Sequence, residues 1–321
     1  MELSIRPLAK ADTNKLGLFL KHSGTHNYQL DFLFYWPKVH EYVSDVIRGF
    51  SDKEPVFVAV ENDSIKGLIG FRKKDWDTGH FGYPVALIDY FFVEKNSKGR
   101  AAASLLIAKF NEWARENEIK LTSIKVFPNH DIVRALEESG FYYVGTEFIL
   151  SKRLPDPELG EASDADIRFL KESDIDYLLR IAKNASWPGR FHSDPNIDRG
   201  KADQLYAGWL ASGIKKDNAK VTVLEVNKKP SGFILWSVER LLSGDKTLLV
   251  GDQELVAVDP AIRGQGYGKI LYRGALTQMQ EAGVNLVKTG IAANNAPALN
   301  NQAKLGFGFN YSMAIFHRFV L

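Results

Sequence analysis

Hydrophobic residues along the chain fall into short β-branched runs and longer stripes at helical spacing, and the two kinds alternate. The first half reads as a strand at LSIRPL, helices over 10–22 and 38–49, and strands at PVFVAVEN, SIKGLIGFR and VALIDYFFV. A helix over 100–117 follows, with Leu105, Leu106, Ala108, Phe110 and Trp113 forming its apolar stripe. LTSIKVF, a helix from 131 and the strands FYYVG and EFILSKRL close the half. The second half repeats the order. It runs IRFL, a helix near 173–184, VTVLEVN, GFILWSVE and LLVGDQELVAV, then a helix from 266, NLVKTGI, a helix from 296, FGFNYS and AIFHRFV. Mixed strands and helices with central hairpins predict an α/β fold with a mixed central sheet flanked by helices. PDPELGEASDAD, rich in Pro, Asp and Glu, reads as the connection. The expected organisation is therefore a domain over 1–154, a linker over 155–165 and a second domain over 166–321.

Punctuation repeats along with the pattern. VEKNSKGRAAASLL from Val93 lies over VDPAIRGQGYGKIL from Val258 without gaps, so Lys98-Gly99-Arg100 falls on Arg263-Gly264-Gln265. Asn129 precedes Gly140-Phe141 as Asn295 precedes Gly306-Phe307, in both cases by eleven residues.

Composition changes this picture little, and mostly by exclusion. A length of 321 residues favours two domains. The 45% hydrophobic and 25% charged content is that of a globular protein, and the net charge of +2 gives no general pull toward nucleic acid or membrane. Zero cysteines exclude disulfides, thiolate metal ligands and a cysteine nucleophile. The opening MELSIRPLAKAD lacks the apolar core of a signal peptide, and no run approaches the roughly 18–20 apolar residues that span a bilayer. A cytoplasmic protein is the expectation, with no metal, because no His/Asp/Glu cluster has ligand spacing.

Candidate chemistry concentrates at 258–269. A strand that runs into a glycine loop opening a helix is an anion site, because the helix N-terminus leaves main-chain N–H groups unpaired and partly positive. Gly264, Gly266 and Gly268 let a diphosphate approach the backbone, and Arg263 and Lys269 add positive charge on either side. A turn without a ligand is the plainer alternative. GxxxxGK[ST] does not fit, since Ile270 follows Lys269, and GxGxxG fails at Leu271.

Arg-x-x-Gly-x-Gly at 263–268 after a Val-x-Val strand end resembles the coenzyme A loop of the GCN5-related N-acetyltransferases (GNAT). Asn295, Ala298 and Gly306-Phe307 are similar to the same family's N-x-x-A-x(7)-G-F stretch. The resemblance implies two tandem GNAT domains, the first degenerate, since its loop reads Lys98-Gly99-Arg100-Ala101-Ala102-Ala103. It implies acetyl-CoA held by Val256, Val258, Arg263, Gly264, Gln265, Gly266, Tyr267, Gly268, Lys269 and Asn295. Transfer to a primary amine needs a base, and Asp252 and Glu254 would share a face with Val256 and Val258 in a regular strand. Asp252 aligns with the general-base glutamate of one family branch, Glu254 lies closer to the thioester, and both remain open beside the reading of solvated surface carboxylates. The tyrosine that many relatives use as general acid falls on Gln302. Tyr311 and His317 are open substitutes or ordinary strand residues.

WDTGHFG at 76–82 and RFHSD at 190–194 with Tyr206-x-x-Trp209 resemble the family's dTDP-fucosamine acetyltransferase branch, which acetylates the 4-amino group of a nucleotide-linked deoxyamino sugar. His192, Asp194, Tyr206 and Trp209 are the candidate acceptor residues, with core packing of Tyr206 and Trp209 as the alternative. Other acceptors (an antibiotic, polyamine or peptide amine) and a non-catalytic acyl-CoA sensor stay open, as does a monomer or homodimer.

Overall fold

The computed structural model describes residues 2–23, 39–96, 98–156, 166–243 and 246–320. From residue 157 on, the expected linker lies outside them. In chain order the elements are β1 (Ser4–Pro7), α1 (Thr13–His22), α2 (Val39–Ser51), β2 (Val56–Glu61), β3 (Ser64–Lys73), α3 (Asp75–Phe81), β4 (Val85–Val93), α4 (Gly99–Glu116), β5 (Leu121–Val126), α5 (His130–Glu138) and β6 (Tyr142–Arg153). Then come β7 (Asp166–Phe169), α6 (Ile175–Lys183), α7 (Arg190–Ser193), α8 (Arg199–Gly213), β8 (Ala219–Val226), β9 (Lys229–Ser243), β10 (Lys246–Val258), α9 (Tyr267–Glu281), β11 (Leu286–Ala292), α10 (Ala296–Lys304) and β12 (Gly308–Phe319).

Two compact units result, and they follow strand pairing rather than the linear halves. The first holds Met1–Thr146 and Ser312–Leu321; the second holds Glu147–Tyr311. The end of β12 pairs with β5 from Ala314↔Val126 to Phe319↔Leu121, which assigns it to the first unit. The end of β6 pairs with β11 from Leu286↔Arg153 to Ala292↔Glu147, which assigns it to the second. Each unit thus takes its last strand from the other half of the sequence.

Strand order is the same in both units: β1-β2-β3-β4-β5-β12 in the first and β7-β8-β9-β10-β11-β6 in the second. All neighbours are antiparallel except β4/β5 and β10/β11. In the first unit Leu106 and Phe110 of α4 pack with Phe71 and Phe141, while Leu16 and Leu20 of α1 and Ile47 of α2 form a second cluster with Leu68 of β3. In the second, Trp236, Leu271, Leu276 and Met279 join the sheet to α9.

A further repeat ties β1 and β7 to the turns after them. Arg6 clasps Asp12 through two hydrogen bonds of 2.6 and 2.8 Å, and Arg168 clasps Asp174 at 2.6 and 3.1 Å. Both carboxylates also accept from the backbone, at Ala9 N and Lys171 N. The guanidinium hydrogen bonds hold both below the usual carboxylate range.

Candidate active site

In the second unit the β10/β11 ladder covers only Val250–Gln253 against Leu286–Thr289, although β10 continues to Val258 and β11 to Ala292. The two parallel strands therefore diverge, leaving a wedge lined by main chain. At the point of divergence β10 carries a β-bulge. Gln253 stands opposite Trp236 and Leu255 opposite Leu235, so Glu254 is the extra residue.

The bulge corrects the expectation that four residues share a face. Val256 pairs with Ile234, and Val256 and Val258 pack on the cluster formed with Leu271 of α9. Leu235 alternates with Ile234 and faces α8 instead, since a Cβ on Gly213 would strike its side chain. Glu254 also meets the α8 region: its Oε2 accepts from Trp209 Nε1 at 3.3 Å and from Lys216 Nζ at 3.1 Å. Asp252 lies opposite Ser237, whose hydroxyl reaches Glu254. Asp252 and Glu254 thus share the α8 face, and the two valine side chains point to the other.

The two carboxylates sit in different environments. Burial pushes Asp252 above the usual carboxylate range, although Lys288 Nζ lies 3.1 Å away. Burial acts upward on Glu254 too, but donors from Ser237, Lys216 and Trp209 outweigh it and bring the group below that range. Lys288 is raised despite burial by Asp252 and Glu239. Burial raises Tyr311, which feels Lys288, Glu147 and Asp252. Gly290 on β11 has no side chain, and the Glu147 carboxylate occupies the space where its Cβ would stand.

Past Val258 the loop has the backbone an anion cradle requires. Gly264 has φ +79 and Gly266 φ +88, the left-handed region where glycine carries no penalty. A Cβ at either position would meet nothing within 4 Å, so both face open space. Gly266 is the N-cap of α9, which starts at Tyr267 and presents its first N–H groups there. Gly268 lies under Asn301, while Gln265 and Lys269 are exposed and Tyr267 is half-buried on the α9 core. Arg263 does not hang free beside the loop. Its Nε donates to Val258 O at 3.2 Å and its Nη2 to Ala185 O at 2.7 Å, which fixes the loop's entry. Asn295 caps α10 by accepting from Ala298 N at 3.3 Å.

The matching loop of the first unit is built differently. Its helix α4 already starts at Gly99, whereas the residue aligned with Tyr267 is Ala102. Gly99 is buried, has no positive φ, and its missing Cβ would collide with Glu94 O. An opening helical turn occupies the stretch that forms the open loop in the second unit. The wedge and bulge persist there: β4 and β5 pair only at Val85–Ile88 with Leu121–Ile124, and Asp89 is the bulged residue, 2.9 Å from Arg72.

Of the four expected acceptor residues, Trp209 reaches the site through Glu254. Tyr206 stacks on Trp187 (centroids 4.4 Å apart), His192 (5.6 Å) and Trp209 (6.3 Å). It is buried, its hydroxyl fills the place of a Cβ on Gly189, and burial pushes its pKa up to about 12. Asp194 is buried and turns the chain by accepting from Asn196 N at 2.9 Å. His192 lies 2.7 Å from Asp203. Gln302 is fully buried, donating from Nε2 to Gln253 Oε1 at 2.7 Å. His317 is fully buried in the first unit's sheet opposite Ser123, and Tyr311 belongs to the second unit. Sequence reasoning missed Lys216, Lys288 and Glu147. An isolated lysine at 216 gives no spacing signal, and Lys288 is placed by strand pairing alone. Among the described residues no group of three or more His, Asp or Glu is placed to hold a metal, and no helix is long and apolar enough to cross a membrane.

The model of the acetyltransferase (GNAT) family matches twice, over residues 23–141 and 182–307. An uncharacterised N-acetyltransferase of Methanocaldococcus jannaschii is 30% identical over 141 residues, a match that spans 44% of this chain and 59% of that relative's length. The spore coat polysaccharide biosynthesis protein SpsD of Bacillus subtilis is 21% identical over 267 residues, covering 80% of this chain and 85% of SpsD. A tandem GNAT protein from the clavulanic acid biosynthesis pathway superposes with a TM-score of 0.58 at 15% identity, over 99% of this chain and 98% of that one. With the fold present twice and more than half of its length matched, the chain belongs to the GNAT family of N-acetyltransferases.

Proposed function

We propose that the second unit binds acetyl-CoA and acetylates the primary amine of a small molecule, with a nucleotide-linked aminosugar as the leading acceptor. The observation that carries the reading is the left-handed glycine loop at Gly264 and Gly266, open to solvent at the N-terminus of α9 and directly after the wedge. A diphosphate suits that cradle, since main-chain N–H groups and helix polarity both favour an anion. When bound, the thioester supplies the electrophilic acyl carbon and a sulfur leaving group. Gly264, Gln265, Gly266, Tyr267, Gly268 and Lys269 would hold the diphosphate, and Asn295 with the main chain of Val256 and Val258 the arm. Arg263 serves the loop by anchoring it to Ala185 O.

On the acceptor side Asp252 and Glu254 offer carboxylates to an ammonium, and one of them takes its proton before nitrogen attacks. Holding both partners in one cleft supplies much of the remaining acceleration. Gln302 is buried against Gln253 and its carboxamide is no acid; the departing thiolate can take its proton from solvent. Trp209 beside the carboxylates suits a sugar ring with an apolar face, and the polysaccharide role named for SpsD points the same way. The first unit, with a helical turn in place of the loop, serves as a degenerate partner without coenzyme.

Titration calorimetry with acetyl-CoA, followed by a thiol-release assay, tests the reading. The amine panel is TDP-4-amino-4,6-dideoxygalactose, glucosamine, kanamycin, spermidine and a lysine peptide. Release on the nucleotide sugar alone is expected. Release on another amine would replace the acceptor class, and binding without release on any would replace transfer by acyl-CoA sensing.

A further inference from the structure

The bulge and the helix above it give the two carboxylates unequal roles. Both donors from the α8 region, Trp209 Nε1 and Lys216 Nζ, land on the same oxygen of Glu254, Oε2. The side chain of Glu254 is only 13% exposed, so it has little freedom to leave them. The bulge brings it to this face, and Ser237 on β9 adds a third donor. Asp252 is more open at 31%, and its close partner among the described residues is Lys288 of β11, which also lies 3.7 Å from Glu239 of β9. Glu254 also acts on Asp252, Tyr311 of β12 acts on Lys288, and Glu147 of β6 acts on Tyr311 in turn. The two carboxylates are thus neighbours on the face that an ammonium would meet.

We propose that Glu254, clamped through Oε2 by Trp209 and Lys216, is a fixed anion that anchors the acceptor's ammonium, while Asp252 takes the proton. This rests on reading the cleft as the acceptor site. The N–H bond breaks with its electron pair left on nitrogen, the proton goes to a carboxylate oxygen of Asp252, and Asp252 later gives it to solvent. Lys216 and Trp209 are positioning residues: they act through Glu254. The partners support the division: several donors keep Glu254 ionised, while Asp252, with Lys288 as its close partner and lifted above the usual carboxylate range, accepts a proton more readily.

The test has two arms on the full-length chain. The first needs no acceptor: carbon NMR titration of protein with 13C-carboxyl Asp and Glu, assigned with Asp252→Asn and Glu254→Gln. Asp252 is expected to titrate at higher pH than Glu254. Lys216→Met, at a half-exposed position, should raise the Glu254 midpoint by about one pH unit (a tenfold change in its acidity), and Lys216→Arg should restore it. A Glu254 midpoint above that of Asp252, or one that Lys216→Met leaves unmoved, overturns the proposal. The second arm measures kinetics on whichever panel amine releases thiol. Glu254→Gln should raise KM about tenfold with kcat within about threefold, and Trp209→Phe should do the same more weakly. Asp252→Asn should lower kcat about a hundredfold or more with little change in KM. The reverse pattern overturns the proposal. If no amine is turned over, the transfer reading fails, and the titrations still decide whether the clamp exists.

Discussion

Gly266→Ala separates a structural glycine from a ligand-binding one. At φ +88 an alanine is held in the left-handed region, which costs an L-residue about 1–2 kcal/mol. Its methyl group meets no atom within 4 Å, so no packing cost is added. For a unit of this size, each kcal/mol lost lowers Tm by about 2–4 °C. The effect on the coenzyme is larger in proportion. The methyl stands in the open space before the first turn of α9, where the diphosphate would approach, and each charge-assisted main-chain hydrogen bond lost there is about 1.5–3 kcal/mol. The dissociation constant for acetyl-CoA should therefore rise about ten- to a hundredfold. Titration calorimetry gives the constant and scanning calorimetry the stability. A Tm lowered as expected together with a dissociation constant within about twofold of the parent would refute the loop's role.

Three companions extend the comparison. Ala101→Leu adds bulk at the aligned, exposed position in the first turn of α4, and the dissociation constant for acetyl-CoA should not move in calorimetry. Gly99→Ala sets a methyl against Glu94 O, so thermal unfolding of the first unit should come several degrees earlier while coenzyme affinity is unchanged; a loss of affinity would place a binding role there. Arg168→Met removes the clasp on Asp174. That carboxyl is depressed in the fold, so its contribution is present above the unfolded value of about 3.9 and is lost as pH falls through the folded one. The gap in Tm between parent and variant should therefore be full at pH 6 and shrink below about pH 4. A gap independent of pH would assign the cost to packing alone.

Periodicity was enough to read most elements. The helix expected over 100–117 is Gly99–Glu116, and the one near 173–184 is Ile175–Lys183, because the buried positions recur on one side. Helix α3 escaped, since Trp76-Asp77-Thr78-Gly79 shows no helical stripe and its end is set by Gly82 at φ +76. The Arg–Asp clasp went unread, although SIRPLAKAD and DIRFLKESD share Ile-Arg-x-Leu and a closing Asp. The exchange of final strands was not visible, because pairing partners are chosen by contacts far apart in sequence. The left-handed glycine turn and the face shared by Asp252 and Glu254 were legible because both rest on local spacing. That face was misread beyond Glu254, where one inserted residue reverses the alternation that a regular strand would keep. Lys216 and Lys288 reach the site only through folding, by a helix end and a parallel strand pair respectively.

A crystal of the full chain grown with acetyl-CoA tests the central claim most directly. The account predicts one molecule per chain, its diphosphate at Gly264 and Gly266 and its thioester in the wedge between β10 and β11, with no second molecule at Gly99. Density for the coenzyme at the first unit's wedge, or a well-ordered second unit with an empty loop, would contradict it.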